Sequence, residues 1–232
     1  MSLPDNLNRV QERINAAAAR VGREPASITL VAVSKTHPVE TLIEAYRLGV
    51  RHFGENRVEE ATLKLPAFKR AVNDPAVTFH MIGHLQSRKA DEAVALFDRV
   101  HSVDSVKLAQ RLDRFAAALD KVLPIMLEVN VSGEASKYGF DAVRRDEVFG
   151  TVEAIQSLAH VRLDGLMTMA PIVPEAELTR PVFRGLRELR AEIEVRYGVA
   201  LPQLSMGMTD DFEVAIEEGA TLVRIGRAIF AG

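Results

Sequence analysis

Two glycine-containing loops late in the chain have the composition of a phosphate-binding site. Residues 205–208 read Ser-Met-Gly-Met after an apolar segment, and residues 225–228 read Ile-Gly-Arg-Ala after the segment 221–224. Glycine lets backbone N–H groups approach a ligand, and a helix start offers unpaired N–H donors in a favourable dipole. The pair indicates an anion site, although ordinary strand-to-helix turns explain each loop equally well when it is taken alone.

A lysine at the end of an apolar run could supply covalent chemistry. Lys35 follows the run 28–34, and strand alternation places its side chain on the same face as Val31 and Val33. An amine at the end of an apolar strand is suited to Schiff-base formation. The competing interpretation is a rim lysine whose charged end reaches into solvent.

An arginine inside an apolar strand needs a specific partner. Arg224 lies within the apolar segment 222–225, and a buried guanidinium is costly unless it is paired. One candidate partner is Glu128, which is likewise a charged residue within an apolar run, 124–130. The other is an acceptor atom of a ligand. The sequence leaves both alternatives open, and both can hold together.

Composition narrows the functional class. The chain has 232 residues, 47% of them hydrophobic, with a net charge of −3 and no cysteine. The charge gives no basic surface for nucleic acid or an anionic membrane, and the lack of cysteine excludes disulfides and thiolate chemistry. The first 22 residues contain no apolar signal core, and no apolar run has membrane-spanning length. These features predict a cytoplasmic protein.

Short β-branched runs alternate with amphipathic helical segments, which is typical of βα units around a parallel sheet. The sequence predicts eight strands, at 28–34, 51–53, 78–82, 99–103, 124–130, 162–167, 203–206 and 222–225. It predicts helices that include 39–48, 105–119 and 175–196. The expected fold is an α/β, single (β/α)8 TIM-type barrel, with an open doubly wound sheet as the alternative. We expect one domain over 1–232, with an extra N-terminal helix at 1–22 and the barrel at 28–232.

Two histidines invite a metal interpretation. His80 and His84 are four residues apart with Asp91 nearby, but their sequence context is a strand followed by a loop. They would not share a helical face as zinc ligands would, so no metal site is expected. His84 is expected to shape the mouth of the pocket instead.

Several motifs in fixed order resemble the pyridoxal phosphate homeostasis protein family. The resemblance spans residues 28–232 and is carried by VAVSK, FGENRVEE, HMIGHLQSRKA, HSVDS, LEVNVSGEASKYGF, GLMTMAP and LSMGMTDDFEVAIEEGATLVRIGRAIFAG. It implies the barrel of the alanine racemase amino-terminal domain and bound pyridoxal 5′-phosphate (PLP). Lys35 would form a Schiff base with PLP, and Arg224 would face its pyridine nitrogen. Ser205, Gly226 and Arg227 would surround the phosphate.

Other site residues follow from the same resemblance. Asn56 would lie beside the cofactor ring near its 3′-oxygen, although it could equally be a helix N-cap. Met206 and the segment 167–169 would line the pocket, with plain core packing as the alternative. The family often has Thr where this chain has Arg227. The backbone N–H remains, and the guanidinium would either pair with the phosphate or point to solvent. Lys137, in the loop 132–139, would touch substrate or a second PLP, or be a solvated loop lysine.

The resemblance implies a protein that carries and buffers PLP and supports its homeostasis, with no catalytic residue assigned. The expected partners are PLP itself and PLP-dependent apo-enzymes that accept it, and the expected state is a monomer or a weak homodimer. One alternative is a PLP-dependent amino-acid racemase, for which Tyr138 is the tyrosine best placed to serve as an acid. A third interpretation, a sugar-phosphate enzyme with Lys35 as its amine, leaves Arg224 unexplained.

Overall fold

Helices and strands alternate through a computed structural model that describes residues 2–134 and 137–231. In chain order the elements are α1 (Leu3–Arg20), β1 (Thr29–Val33), α2 (Val39–Arg47), β2 (His52–Glu55), α3 (Val58–Val72), β3 (Thr78–Met81), α4 (Ala90–Leu96), β4 (Arg99–Val103), α5 (Val106–Ala118), β5 (Leu123–Asn130), β6 (Phe140–Asp141), α6 (Arg145–Gln156), β7 (Val161–Met167), α7 (Arg180–Tyr197), β8 (Gln203–Ser205), α8 (Phe212–Glu217), β9 (Leu222–Ile225) and α9 (Arg227–Phe230). The predicted strands all form, with ends that differ only slightly from those expected.

Eight of these strands close into a parallel barrel. The order is β4-β3-β2-β1-β9-β8-β7-β5, and an additional pairing of β4 with β5 joins the two ends. The first and last strands along the chain are neighbours, with Thr29 paired to Leu222 and Val31 to Arg224. Closure confirms the TIM-type barrel and excludes the open sheet. The short strand β6, which pairs with β5 outside the barrel, was not predicted.

Strand alternation produces two separate hydrophobic clusters. The larger lies between the strands and the surrounding helices and contains residues such as Ala32, Phe53 and Leu204. The smaller consists of Val31, Met126, Met167 and Leu222, and these side chains point to the opposite face, inside the barrel. Residues that share the parity of the smaller cluster therefore line the barrel interior.

The extra N-terminal helix packs against α8 and α9. Ser2 caps α1 in a reciprocal pair with Asp5, and the helix buries an apolar stripe of Leu7, Val10, Ile14, Ala17 and Ala18. The side chain of Asn6 donates to the carbonyls of Ile229 and Ala231, both at 3.1 Å. This helix fixes the short helix that follows the second glycine loop. No helix in residues 2–134 and 137–231 combines the length and apolar character needed to span a bilayer.

Candidate functional site

The predicted site residues gather where strands β1, β2, β8 and β9 reach their carboxyl ends. Lys35 lies in the turn after β1, Asn56 directly follows β2, and Gly226 directly follows β9. Because β1 pairs with both β2 and β9, these three positions are on neighbouring strands of one barrel mouth. In TIM-type barrels this end carries the chemistry.

The turn that carries Lys35 is held firmly from outside the barrel. The buried ammonium of Lys64, on α3, donates to the carbonyls of Ser34 and His37 at 2.8 and 3.1 Å. The Ser34 hydroxyl donates to Glu55 at 2.6 Å, and Glu60 accepts the N–H of Thr36, whose φ is 66°.

Lys35 itself is exposed. In the described part of the chain its ammonium has no hydrogen-bond or ion-pair partner. A fixed backbone thus presents an uncommitted amine at the mouth of the barrel.

Arg224 is buried inside the barrel and is bound by neutral groups. Its guanidinium donates to the Ser205 hydroxyl at 2.6 Å and to the Thr168 carbonyl at 2.9 Å. Burial lowers the pKa of Arg224 to about 10, and the charges of Asp211 and Glu128 oppose that shift. Arg224 therefore stays protonated at neutral pH.

The pairing with Glu128 that the sequence left open does not form as a direct contact. No ion pair joins Glu128 to Arg224 among the described residues, and the Glu128 Oε2 atom is buried without a hydrogen-bond partner. Burial and the nearby charge of Asp104 raise the pKa of Glu128 to about 7, and the charge of Arg224 opposes that rise. Glu128 therefore affects Arg224 by a longer-range electrostatic interaction, without a hydrogen bond or ion pair.

A side chain would be strained at Gly207, and space for one is tight at Gly226. Gly207 has a φ of +93°, and a Cβ there would lie 2.6 Å from the Ala215 side chain. A Cβ on Gly226 would approach the Val33 carbonyl to 3.1 Å. The two loops meet where the Ala228 N–H points to the Thr209 hydroxyl at 3.5 Å. The loops therefore form one continuous polar edge next to β1.

Ser205, Met206 and Arg227, three of the predicted site residues, differ in burial and in the groups they contact. Ser205 is fully buried, with its hydroxyl hydrogen-bonded to Arg224 and to His101 inside the barrel. Met206 is fully buried in the larger cluster between strands and helices. The Arg227 side chain is 74% exposed and forms an ion pair with Asp210.

Asn56 does not cap a helix. The N-cap of α3 is Arg57, which makes no capping hydrogen bond with its side chain. The Asn56 Oδ1 atom is buried without a hydrogen-bond partner among the described residues. A Cβ on Gly83 would lie 2.3 Å from the Asn56 carbonyl oxygen, so the neighbouring loop packs directly against this residue. A buried, unsatisfied amide oxygen at the barrel mouth is suited to a polar ligand.

Aromatic stacking brings two mouth residues together. The rings of His84 and Tyr138 stack with centroids 3.8 Å apart, and His84 also approaches Asp104 at 3.3 Å. Residues 135 and 136 of the predicted loop 132–139 lie outside the described residues. Lys137 donates to Ser132, Glu134 and the Met169 carbonyl, so its ammonium is committed within the loop region.

Three polar residues, His52, His101 and Thr209, were missed from the sequence, and His80 was considered only as a metal ligand. His52, His80 and His101 lie on consecutive strands and join Ser205 in a chain of hydrogen bonds, whereas Thr209 links the glycine loops. The available signal was one histidine in each of three successive predicted strands. No cluster in the described residues has the three or more His, Cys, Asp or Glu side chains that could hold a metal ion.

Comparison with known sequences gives full-length matches. The family described as alanine racemase, N-terminal domain, matches residues 6–232. A pyridoxal phosphate homeostasis protein of Aquifex aeolicus is 43% identical, with 99% of this chain and 98% of the relative covered. A protein of the same name from Escherichia coli K12 is 40% identical, with 97% and 94% covered.

Solved structures match over the same length. PipY of Synechococcus elongatus PCC7942, solved with PLP bound, has a TM-score of 0.84 at 37% identity and covers 99% of this chain and 100% of its own. An unknown protein from Bifidobacterium adolescentis has a TM-score of 0.90 at 37% identity, with 98% and 94% covered. D-threo-3-hydroxyaspartate dehydratase from Delftia sp. HT23, at 20% identity and a TM-score of 0.71, covers 97% of this chain and 59% of its own and shares the fold alone.

Proposed function

The chain belongs to the pyridoxal phosphate homeostasis protein family, and from that membership we propose that it binds, carries and buffers PLP. The observation that carries the proposal is the full-length likeness to PipY with PLP bound, at 37% identity. The barrel mouth has features that fit this cofactor. They are an uncommitted lysine amine, a buried arginine without a carboxylate bond, an unsatisfied buried amide oxygen, and two glycine loops of which the one at Gly207 has no room for a Cβ.

Lys35 is proposed to hold the cofactor covalently through its amine. PLP supplies an aldehyde that condenses with a primary amine and a pyridine ring that can withdraw electrons. The Lys35 turn is fixed by Lys64 and Glu60, so the backbone next to the amine does not need to be ordered on binding. An ordered backbone lowers the entropic cost of binding.

Arg224 is proposed to donate to the pyridine nitrogen. A guanidinium has donors only, and this one stays protonated at neutral pH, so it keeps the ring nitrogen unprotonated. The electron-withdrawing power of the ring is then weak. A carboxylate at the same position would strengthen it, which is what carbanion chemistry requires. Arg224 therefore supports a carrier in preference to a transaminase or a decarboxylase.

The phosphate is proposed to lie against the glycine loops. Gly226 is partly exposed and carries no Cβ, and the Thr209 hydroxyl lies at the junction of the loops. At the first loop the Met206 and Met208 N–H groups already donate to Leu222 and Asp211, so the second loop offers the freer backbone. The Ser205 hydroxyl is engaged inside the barrel, so its part in the site is assigned through Arg224. Arg227 contributes its backbone, since its side chain pairs with Asp210. Asn56 is proposed to donate to the ring oxygen through its Nδ2 group, and Met206 supports the loop from the core.

The proposed setting is a cytoplasmic monomer or weak homodimer in which residues 1–232 act as one PLP-binding domain. Its partners are PLP-dependent apo-enzymes that accept the cofactor. A racemase is the alternative, because Tyr138 stacks on His84 near the mouth and offers an acidic hydroxyl. Free transfer of PLP to an apo-enzyme, without turnover of amino acids, supports the carrier. Sustained racemisation that Tyr138→Phe reduces at least about tenfold would replace it.

The covalent anchor is tested by absorption and mass spectrometry. The purified protein with added PLP should absorb visible light, and borohydride reduction should fix the cofactor mass on Lys35. Lys35→Ala should lose the visible band, whereas the matched control Lys137→Ala should keep it because that ammonium is committed to Ser132, Glu134 and Met169. A reduced adduct on another lysine would contradict the assignment.

A further inference from the structure

A continuous chain of hydrogen bonds crosses the interior of the barrel. His52 Nδ1 lies 3.1 Å from His80 Nε2, and His80 Nδ1 lies 2.9 Å from His101 Nε2. His101 Nδ1 lies 2.8 Å from the Ser205 hydroxyl, which accepts from Arg224 at 2.6 Å. His80, His101 and Ser205 are fully buried, and only His52, the first residue of β2, is partly exposed. The chain thus joins Arg224 to the start of β2.

The geometry forces the three rings into the same tautomer. Each link joins the Nδ1 of one ring to the Nε2 of the next, and a neutral imidazole has one donor and one acceptor nitrogen. Two donors or two acceptors facing each other would break a buried hydrogen bond. Burial keeps the rings neutral, because it lowers the pKa of His52 and, more strongly, those of His80 and His101; the positive charge of Arg99 acts in the same direction.

Arg224 selects one of the two directions. A guanidinium only donates, so one lone pair of Ser205 faces Arg224. If the Ser205 proton points to His101, every donor and acceptor between Arg224 and His52 is matched. In the reverse direction Ser205 would accept twice, and its own buried proton would need a further acceptor, which the described residues do not provide. The positive charge of Arg224 also favours this direction, because the hydrogen, the positive end of each O–H or N–H dipole, then points away from the guanidinium.

We propose that His101, His80 and His52 are positioning residues for Arg224, acting through Ser205 with all three rings in the Nε2–H form. The chain gives the guanidinium a neutral acceptor in place of a carboxylate. The hydrogen bond to Ser205 fixes the position of the guanidinium, and the guanidinium keeps its positive charge because no carboxylate among the described residues pairs with it. The final step, presentation of that charge to the pyridine nitrogen, rests on the proposed function.

The tautomers are measured directly by 15N NMR of histidine-labelled protein without PLP. We expect His52, His80 and His101 to be neutral Nε2–H rings at pH 7.5, assigned by single substitutions, with His160→Gln as a control outside the chain. A neutral Nδ1–H form of His101, or opposite tautomers in His80 and His101, would overturn the relay.

The length of the relay is tested at its partly exposed end, where a substitution is least disruptive. His52→Leu removes the acceptor of the His80 Nε2–H, whereas His52→Gln can restore it with its carbonyl oxygen. His52→Leu should alter the His80 and His101 signals, shift the visible band of bound PLP and weaken PLP binding by about threefold to tenfold. His52→Gln should keep all three near wild type.

These outcomes separate the two proposals. Wild-type protein that shows the expected tautomers but binds no PLP would overturn the proposed function and the ring-nitrogen step, while the relay would stand. Protein that binds PLP on Lys35 but gives equal signals and equal affinity in His52→Leu and wild type would overturn the relay. A purely structural role of His52 would change stability in His52→Leu without moving the PLP band.

Discussion

Lys64 and Arg224 are both buried cations, one outside the barrel and one inside it, and they are satisfied in opposite ways. Lys64 is 6% exposed and contacts the carboxylates of Glu55 and Glu60 at 2.7 and 2.9 Å. Arg224 is 4% exposed and donates to a hydroxyl and a carbonyl. The first charge is neutralised by direct ion pairs, whereas the second is opposed only through space by Glu128 and Asp211.

The difference distinguishes a structural cation from a functional one. A buried charge without a direct counter-ion is unfavourable for stability, and such groups concentrate at binding and catalytic sites. Lys64 holds the backbone of the Lys35 turn, so its ion pairs serve the site indirectly. Arg224 is proposed to supply a positive charge to the site itself. The two cations should therefore respond differently to the same kind of substitution.

The largest expected effect is on Lys64. Lys64→Met should lower the free energy of unfolding by about 3–5 kcal/mol, because Glu55 would remain buried without its cation. Arg224→Met should cost less, about 1–3 kcal/mol, because the groups that Arg224 contacts directly are neutral and a desolvated charge is removed. Urea unfolding at pH 7 measures both.

The double variant Lys64→Met/Glu55→Gln sharpens this test. Removing the orphaned carboxylate should recover part of the stability that Lys64→Met loses, because a neutral amide is cheaper to bury than a charge. Equal losses for Lys64→Met and Arg224→Met, with no recovery in the double variant, would erase the distinction between the two cations.

An intermediate effect is expected at Glu128, which faces Arg224 only through space. Its pKa is raised from 4.5 to about 7, so the protonated form is favoured in the folded state. Its contribution to stability is complete below pH 4.5 and is lost as the pH rises through 7. Glu128→Gln stays neutral, and should therefore be more stable than wild type at pH 8, by about 3 kcal/mol at most, and similar near pH 4.

The measurement is urea unfolding of Glu128→Gln and wild type at pH 4.5, 6 and 8. Glu44→Gln, on the exposed surface of α2, is the matched control and should leave the difference between pH values unchanged. A stability difference between Glu128→Gln and wild type that does not grow with pH would show that Glu128 is not the titrating group.

The smallest effect is expected at the exposed cation of the site, Arg227. Its ion pair with Asp210 joins side chains that are 74% and 76% exposed. Arg227→Ala should therefore change the free energy of unfolding by less than about 1 kcal/mol. Its PLP affinity, measured by absorbance titration, should change by no more than about threefold, because the backbone N–H remains. A much larger loss of affinity would mean that the guanidinium contacts the phosphate.

The barrel could be predicted from the sequence because its strands are short β-branched runs separated by amphipathic helices. Lys35 and Arg224 could be singled out because each is a charged residue within or directly after an apolar strand. Such local irregularities are visible without knowledge of the fold. Their functional roles came from the family resemblance, and the site assignments remain predictions.

The remaining features depend on closure of the barrel. The contact between His101 and Ser205 joins β4 to β8 across the interior, and the contact of Lys64 with Ser34 joins α3 to the end of β1. The residues of each contact are far apart in the sequence, so no periodic pattern along the chain reveals that they meet. The sequence left open whether Asn56 is a helix N-cap. In the structure the N-cap of α3 is the next residue, Arg57. Met206 was equally compatible with the pocket and the core, and only packing distinguishes the two.

The parallel pairing of β1 with β9 has a consequence for how the protein is made. Thr29 pairs with Leu222 in the sheet, and the side chain of Asn6 donates hydrogen bonds to the carbonyls of Ile229 and Ala231. During synthesis the Lys35 turn therefore emerges long before the strand and glycine loop that complete its surroundings. Contacts so distant in sequence form slowly, after local helices and hairpins. A nascent chain that has not reached β9 lacks the strand and the glycine loop next to the Lys35 turn, so the proposed PLP site forms only after residues 222–231 have been synthesised.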